Sequence, residues 1–346
     1  DMQIDNRVER TEALRLWALG HLPAVNPATP LQRVSDDASF RRYFRLPLGG
    51  GAADNNVVLV DAPPELEDGA PFVAVGDRLL NAGLRVPRQL EIDLERGFMM
   101  LEDFGDTLLL ERAREAGEAN LEQIYEWALR GLTQLAGVAV EGLPAYDAEL
   151  LNREMELFGE WFCEQQLGLR LAAVDRAMLD AAMVHLSRAA LEQPKVFVHR
   201  DYHSRNLMVV DTGPLGIIDF QDAVCGPVTY DLVSLVKDCY IRLPRDFVES
   251  FALRLRDSLA GLLPRLPGDA EFLGWMDLMG LQRHLKCAGI FSRLNLRDGK
   301  PGYLGDIPLV FSYIREVTSR TDELREFDDW LGLVVAPGLA RLPGPG

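Results

Sequence analysis

Residues Val196–Asp222 read VFVHRDYHSRNLMVVDTGPLGIIDFQD, and the rest of the chain is arranged around them. An apolar run, Val196-Phe197-Val198, breaks into the polar string His199-Arg200-Asp201-Tyr202-His203-Ser204-Arg205-Asn206, and a second apolar run, Leu207–Val210, follows at once. Gly213-Pro214 turns the chain, and Gly216-Ile217-Ile218 leads into Asp219-Phe220. The pattern predicts strand, loop, strand, turn and strand, with Asp201, Asn206 and Asp219 at the ends of adjacent strands. Oxygen-bearing side chains on one rim suit a phosphate-bound magnesium ion, held by Asn206 and Asp219, with Asp201 as the base for an attacking hydroxyl.

Size and composition narrow the rest. At 346 residues and 48% hydrophobic, the chain can bury one large core or two moderate ones. It has no apolar run of membrane-spanning length, and the opening DMQIDNRVER carries charge with no apolar segment, so neither a membrane nor a secretory signal is expected. Cys163, Cys225, Cys239 and Cys287 form no CxxC pair and read as reduced thiols of a cytoplasmic protein. A net charge of -17 argues against a nucleic-acid partner.

Along the chain, Arg7–Leu22 is amphipathic, with Leu14, Trp17, Ala18 and Leu22 near helical spacing. Short strands follow, predicted over 31–34, 40–46, 56–60, 89–94 and 98–101, with a helix over 72–81 between them. Together they make a small α+β lobe. Long helical patterns then dominate: 107–140, 148–167, 173–192, 228–262, 270–298 and 307–322. The tail, APGLARLPGPG, reads as loose. The expectation is a two-lobed α+β chain, residues 1–103 binding nucleotide and residues 104–346 forming a helical lobe with the catalytic loop and the acceptor site.

His199–Asn206 fits H-R-D-x-x-x-x-N, the kinase catalytic-loop spacing in which Asp takes the substrate proton and Asn holds magnesium. With Ile218-Asp219-Phe220 and the trailing Gly226-Pro227 and Tyr230-Asp231-Leu232, the chain resembles the aminoglycoside/choline phosphotransferase family. That resemblance implies a protein-kinase-like fold, ATP and Mg2+ as cofactors, and transfer of the γ-phosphoryl to a small-molecule hydroxyl. It also implies that Asp231 braces the catalytic loop and that His199 is a bracing residue. Further stretches are similar to one branch of the family: Ser35–Arg45, Asp61–Glu65, and Gln282–Lys286 with Gly289-Ile290-Phe291. Members of that branch phosphorylate the anomeric hydroxyl of N-acetylmuramate and N-acetylglucosamine in cell-wall recycling. The resemblance therefore implies an amino-sugar substrate and a cytoplasmic enzyme. A monomer is expected.

The phosphate grip departs from the kinase pattern. The chain has no GxxxxGK[ST] and no GxGxxG, and its first lysine is Lys195. On the strand that would carry the phosphate-binding lysine, the corresponding residue looks like Asp61. The small polar segment Ser35–Ser39 can offer backbone N–H groups to phosphates. Arg42 and Arg45 are the candidate replacement cations, with Arg45 and Tyr43 on one strand face and Arg42 on the other. Tyr43 would lie against adenine, and at the lobe junction Met99–Phe104, which includes Glu102 and Phe104, adenine would be recognised by backbone N–H and C=O groups. The nucleotide set is thus Ser39, Arg42, Tyr43, Arg45, Glu102 and Phe104.

The acceptor set is His203, Arg205, Arg283 and Arg293. Arg283, Lys286, Arg293 and Arg297 recur at helical steps and put positive charge on one face, which suits an anion such as a lactyl carboxylate. Two rivals remain: a kinase for aminoglycosides or other small alcohols, and a non-catalytic kinase-like protein. A transition-metal hydrolase built on His199 and His203 would need further histidines with partner spacing, and His21, His185 and His284 have none.

Overall fold

The computed structural model describes residues 2–36, 40–49, 55–210 and 213–342, and these group into two units. The first is 1–107 together with 208–222, and the second is 108–207 together with 223–346. The hairpin that carries Asp219 thus packs with the N-terminal unit, whereas the sequence reading put the whole of 104–346 in one lobe.

In the first unit, α1 (Met2–His21) precedes β1 (Gln32–Asp36), β2 (Arg42–Pro47) and β3 (Asn56–Asp61). Then come α2 (Ala70–Asn81), β4 (Gln89–Asp93) and β5 (Phe98–Glu102), so the expected strands and inserted helix are all present. The strands form one antiparallel sheet in the order β1-β2-β3-β5-β4. Alternation along the strands decides its two faces. Phe44 and Leu46 of β2, Val57 and Leu59 of β3, and Phe98 and Met100 of β5 meet Leu14 and Ala18 of α1 in one core. Arg42 and Asp61 stand directly opposite each other in the ladder and belong to this α1 face. Tyr43 and Arg45 take the other.

The central stretch forms two small sheets rather than one. β6 (Lys195–Val198) pairs antiparallel with β9 (Val224–Pro227), and β7 (Leu207–Met208) pairs with β8 (Gly216–Ile217). Asp201 and Asp219 therefore do not stand on adjacent strands of a common sheet, because β6 finds its partner beyond the hairpin. Gly216 is required where it sits: a Cβ there would lie 2.4 Å from the Phe104 ring.

The second unit is built on α9 (Asp269–Leu296), a 28-residue helix whose middle is buried on all sides. Around it pack α5 (Ala148–Leu157), α6 (Ala173–Glu192), α7 (Tyr230–Val236), α8 (Arg245–Ser258) and α10 (Ile307–Thr318). Close approach to α5 needs Gly289, whose added Cβ would meet the Leu157 backbone at 2.4 Å. Two long helical patterns are interrupted. Residues 107–140 split into α3 (Leu109–Ala116) and α4 (Leu121–Ala136) at Gly117, which has a φ of 66°. Residues 228–262 split into α7 and α8 ahead of Pro244. Within the expected loose tail, Ala336–Leu339 is helical. The cysteines are free thiols, and among the described residues no helix is long and apolar enough to cross a membrane.

Candidate active site

The loop His199–Asn206, between β6 and β7, is tied from below. Asp231, at the start of α7, accepts the backbone N–H groups of His199 at 2.6 Å and Arg200 at 2.9 Å. Between those anchors Arg200 is held at a φ of 81°, a left-handed conformation that non-glycine residues seldom take. His199 is fully buried, and its Nδ1 accepts the Asp201 N–H at 3.2 Å. The Asp201 carbonyl in turn accepts His203 N–H at 2.9 Å and Asn206 Nδ2–H at 3.0 Å. These bonds fix the turn and, with the Asn206 amide nitrogen turned inward, point its carbonyl oxygen the other way.

Asp201 itself remains 39% exposed. Burial alone would raise its pKa, but Lys286, His203, Arg283 and Arg200 outweigh that and hold it at about 2. Arg283 on α9 comes within 3.8 Å of the carboxylate while itself only 3% exposed, and its other face meets Cys239 Sγ at 3.6 Å. One turn on, Lys286 donates to Glu154 at 3.1 Å and to the Tyr230 hydroxyl at 3.1 Å. Glu154 also pairs with Arg200 and accepts from Tyr146. The charged face of α9 is therefore no solvated stripe at this end: Arg283 and Lys286 turn inward to Asp201 and Glu154, and only Arg297 reaches the surface, on Asp298. Arg293 is half-buried and away from these contacts. Sequence reading missed Glu154, which sits in no motif. It also missed Asp238, whose only signal is its seven-residue spacing from Asp231 in the segment facing the loop.

His203 is pushed down to about 4, chiefly by burial, so it is neutral at pH 7. Its ring meets Tyr240 edge-on at 5.3 Å. With His199 committed to the loop backbone and His203 to an aromatic neighbour, the two do not form a metal pair.

In the first unit, Asp219 adopts a φ of 62°, and its Oδ1 accepts Gln221 Nε2–H at 2.7 Å. Phe220 is fully buried, its ring 4.9 Å from Phe72 of α2. Arg41 lies over the other side of this group, its guanidinium 5.6 Å from the Phe72 ring and paired with Glu67 at 2.5 Å. The expected phosphate cations are placed otherwise. Asp61 is fully buried on the α1 face, where Arg10 bonds it at 2.6 Å and Arg42 caps it from β2, so neither Asp61 nor Arg42 shares the face of Tyr43. Arg42, expected as a candidate phosphate cation, is thus paired with Asp61 on the α1 face. Arg45 is on the Tyr43 face but clamped by Asp103 at 2.5 Å and Asp106 at 2.9 Å. Glu102 pairs with Arg88 at 3.0 Å, and Phe104 packs on Gly216 beneath Arg85. Ser39 lies outside the described residues.

Comparison with known proteins agrees with this construction. The profile described as "Phosphotransferase enzyme family" matches residues 30–268. The chain is 44% identical over 333 residues to the N-acetylmuramate/N-acetylglucosamine kinase of Pseudomonas aeruginosa, covering 93% of this chain and 96% of that one. It is 41% identical to the enzyme of the same name from Neisseria meningitidis, covering 83% and 85%. Among solved structures, ADP-bound aminoglycoside phosphotransferase APH(2'')-Ib aligns at a TM-score of 0.60 with 13% identity, covering 88% of this chain and 98% of that one. Plasmodium vivax ethanolamine kinase aligns at 0.61 with 11% identity, covering 83% and 84%. These last two are likenesses of fold.

Proposed function

This chain belongs to the phosphotransferase enzyme family, and we propose that it transfers the γ-phosphoryl group of ATP to the anomeric hydroxyl of N-acetylmuramate and N-acetylglucosamine, giving the α-1-phosphates. The observation that carries the reading is 44% identity to a kinase of that name over 96% of its length. The site chemistry supports it. Asp201 is partly exposed, ionised and backed by buried Lys286 and Arg283 and half-buried Arg200, and it accepts a hydrogen bond from the acceptor hydroxyl and aligns it with the γ-phosphorus. A carboxylate held at about 2 is a weak base. It therefore takes the proton late, as the bond to phosphorus forms, which suits a loose transition state with little charge on the nucleophile.

Asn206 and Asp219 offer hard oxygen donors of the kind magnesium takes alongside phosphate oxygens and water. When bound, the ion would neutralise charge on the β- and γ-phosphates. On the sheet face of Tyr43, Arg41 is the cation we assign to the nucleotide phosphates. Glu67 holds it above Phe72, and Phe72 packs on Phe220 beside Asp219. Arg41 is buried and answers one carboxylate, Glu67, whereas Arg45 answers two, Asp103 and Asp106.

The test is an ATP-consumption screen over neutral, anionic and cationic amino sugars, with the phosphorylated carbon identified by phosphorus NMR. Turnover of both N-acetylated sugars at carbon 1 is expected. Efficient turnover of kanamycin-like polycations in their place would move the chain to the aminoglycoside reading, and no turnover of any sugar would overturn the assignment.

A further inference from the structure

Arg205 follows the catalytic Asp201 by one helical turn's worth of chain, yet its guanidinium stacks 3.7 Å from the centre of the Tyr240 ring and 5.9 Å from that of Tyr303. Phe291 lies between the two tyrosines, 6.1 Å from Tyr240 and 5.4 Å from Tyr303. The arrangement is set by one buried carboxylate. Asp238 Oδ2 accepts both the backbone N–H of Ser204 at 2.9 Å and its hydroxyl at 2.5 Å, and Oδ1 accepts the Tyr240 N–H at 2.9 Å. Asp238 thus fixes the residue before Arg205 and the ring beneath it. Among the described residues, no carboxylate or carbonyl makes a hydrogen bond or ion pair with the Arg205 guanidinium; Asp306, half-buried, feels its charge from farther off.

A guanidinium stacked on aromatic rings keeps its in-plane N–H groups for a planar anion, and the stack removes the freedom that binding would otherwise cost. We infer that Arg205, held between Tyr240 and Tyr303, is the residue that reads the lactyl carboxylate of N-acetylmuramate. This rests on the sugar-kinase reading above and reassigns the anion-binding role from Arg283, whose charge is turned to Asp201 behind the loop. The guanidinium supplies the element that separates the anionic sugar from the neutral one.

The experiment compares kcat/KM on N-acetylmuramate, on its lactyl amide (same size, no charge) and on N-acetylglucosamine, for the unaltered enzyme and for Arg205→Ala and Arg205→Lys. A charge-assisted contact predicts that Arg205→Ala lowers the N-acetylmuramate to N-acetylglucosamine ratio about 10- to 100-fold, mainly through KM for N-acetylmuramate. Arg205→Lys should restore part of the ratio, and added salt should shrink the preference of the unaltered enzyme. Tyr303→Leu, which loosens the stack and leaves the charge, should lower the ratio less than Arg205→Ala. Equal losses on both sugars, or equal handling of N-acetylmuramate and its amide by the unaltered enzyme, would overturn the role of Arg205 while leaving the kinase reading intact. Failure of the unaltered enzyme on every sugar would overturn both.

Discussion

The Arg283 guanidinium stands 3.8 Å from the Asp201 carboxylate, reaching it from the buried middle of the longest helix. On the proposed function, Arg283 tunes the Asp201 carboxylate from behind the loop. Replacing it with alanine removes one of the cations holding the Asp201 pKa at about 2, so that pKa rises. The expected result is a fall in kcat with a smaller change in KM for either sugar, and an acid limb of the kcat profile displaced to higher pH. A shift in sugar preference with no displacement of the acid limb would return Arg283 to the acceptor pocket.

Asp201→Asn keeps the loop bonds, which run through the backbone carbonyl and N–H of residue 201, and removes the proton acceptor. Turnover should fall by about a hundredfold or more, with nucleotide affinity nearly unchanged. Titration calorimetry with a non-hydrolysable ATP analogue, set beside steady-state rates, separates the two effects.

Arg41→Ala should weaken ADP and ATP binding by about tenfold or more, while Arg45→Ala and Arg42→Ala have smaller effects. Binding of adenosine, which lacks phosphates, should be the same in Arg41→Ala as in the parent. If adenosine affinity falls with that of ADP, Arg41 supports the fold of the sheet face and another group meets the phosphates.

Glu154, Lys286 and Arg200 form a buried charge cluster, and removing one member strands the others. Lys286→Ala should cost about 3–5 kcal/mol of stability, as for other broken buried pairs. Glu154→Gln combined with Lys286→Met should recover part of it. Denaturant midpoints of the single and double variants give the coupling.

His284 is fully buried, stacked 4.7 Å from Tyr313, with Nε2 2.9 Å from the Lys237 carbonyl. Burial is the main cause that pushes its pKa down to about 3. The unfolded chain therefore binds this proton first as pH falls. Stability from His284 is intact above its ordinary value near about 6.5 and is lost progressively as pH drops toward 3. Thermal melts should show His284→Phe losing less stability than the parent between neutral pH and pH near 4.

The loop His199–Asn206, the strands of the first unit and the main helices of the second were legible in the sequence, because each is encoded within a short window. Asp201 and Asn206 are set by spacing along one loop, and the strands by alternation between turns. The interruptions at Gly117 and Pro244 were also written in the chain, as the residues that end and restart helices. Tertiary structure decided what alternation leaves open, namely which of a strand's two faces meets which partner. It turned Arg42 and Asp61 to the α1 side and left Arg41 over Phe72 with Glu67. It decided which cations go inward as well, since a helical stripe of Arg283, Lys286, Arg293 and Arg297 looks the same whether it faces water or a buried carboxylate. Glu154, Asp238 and Tyr303 lie far along the chain from the residues they serve, and only packing brings Glu154 to Lys286, Asp238 to Ser204 and Tyr303 to Arg205.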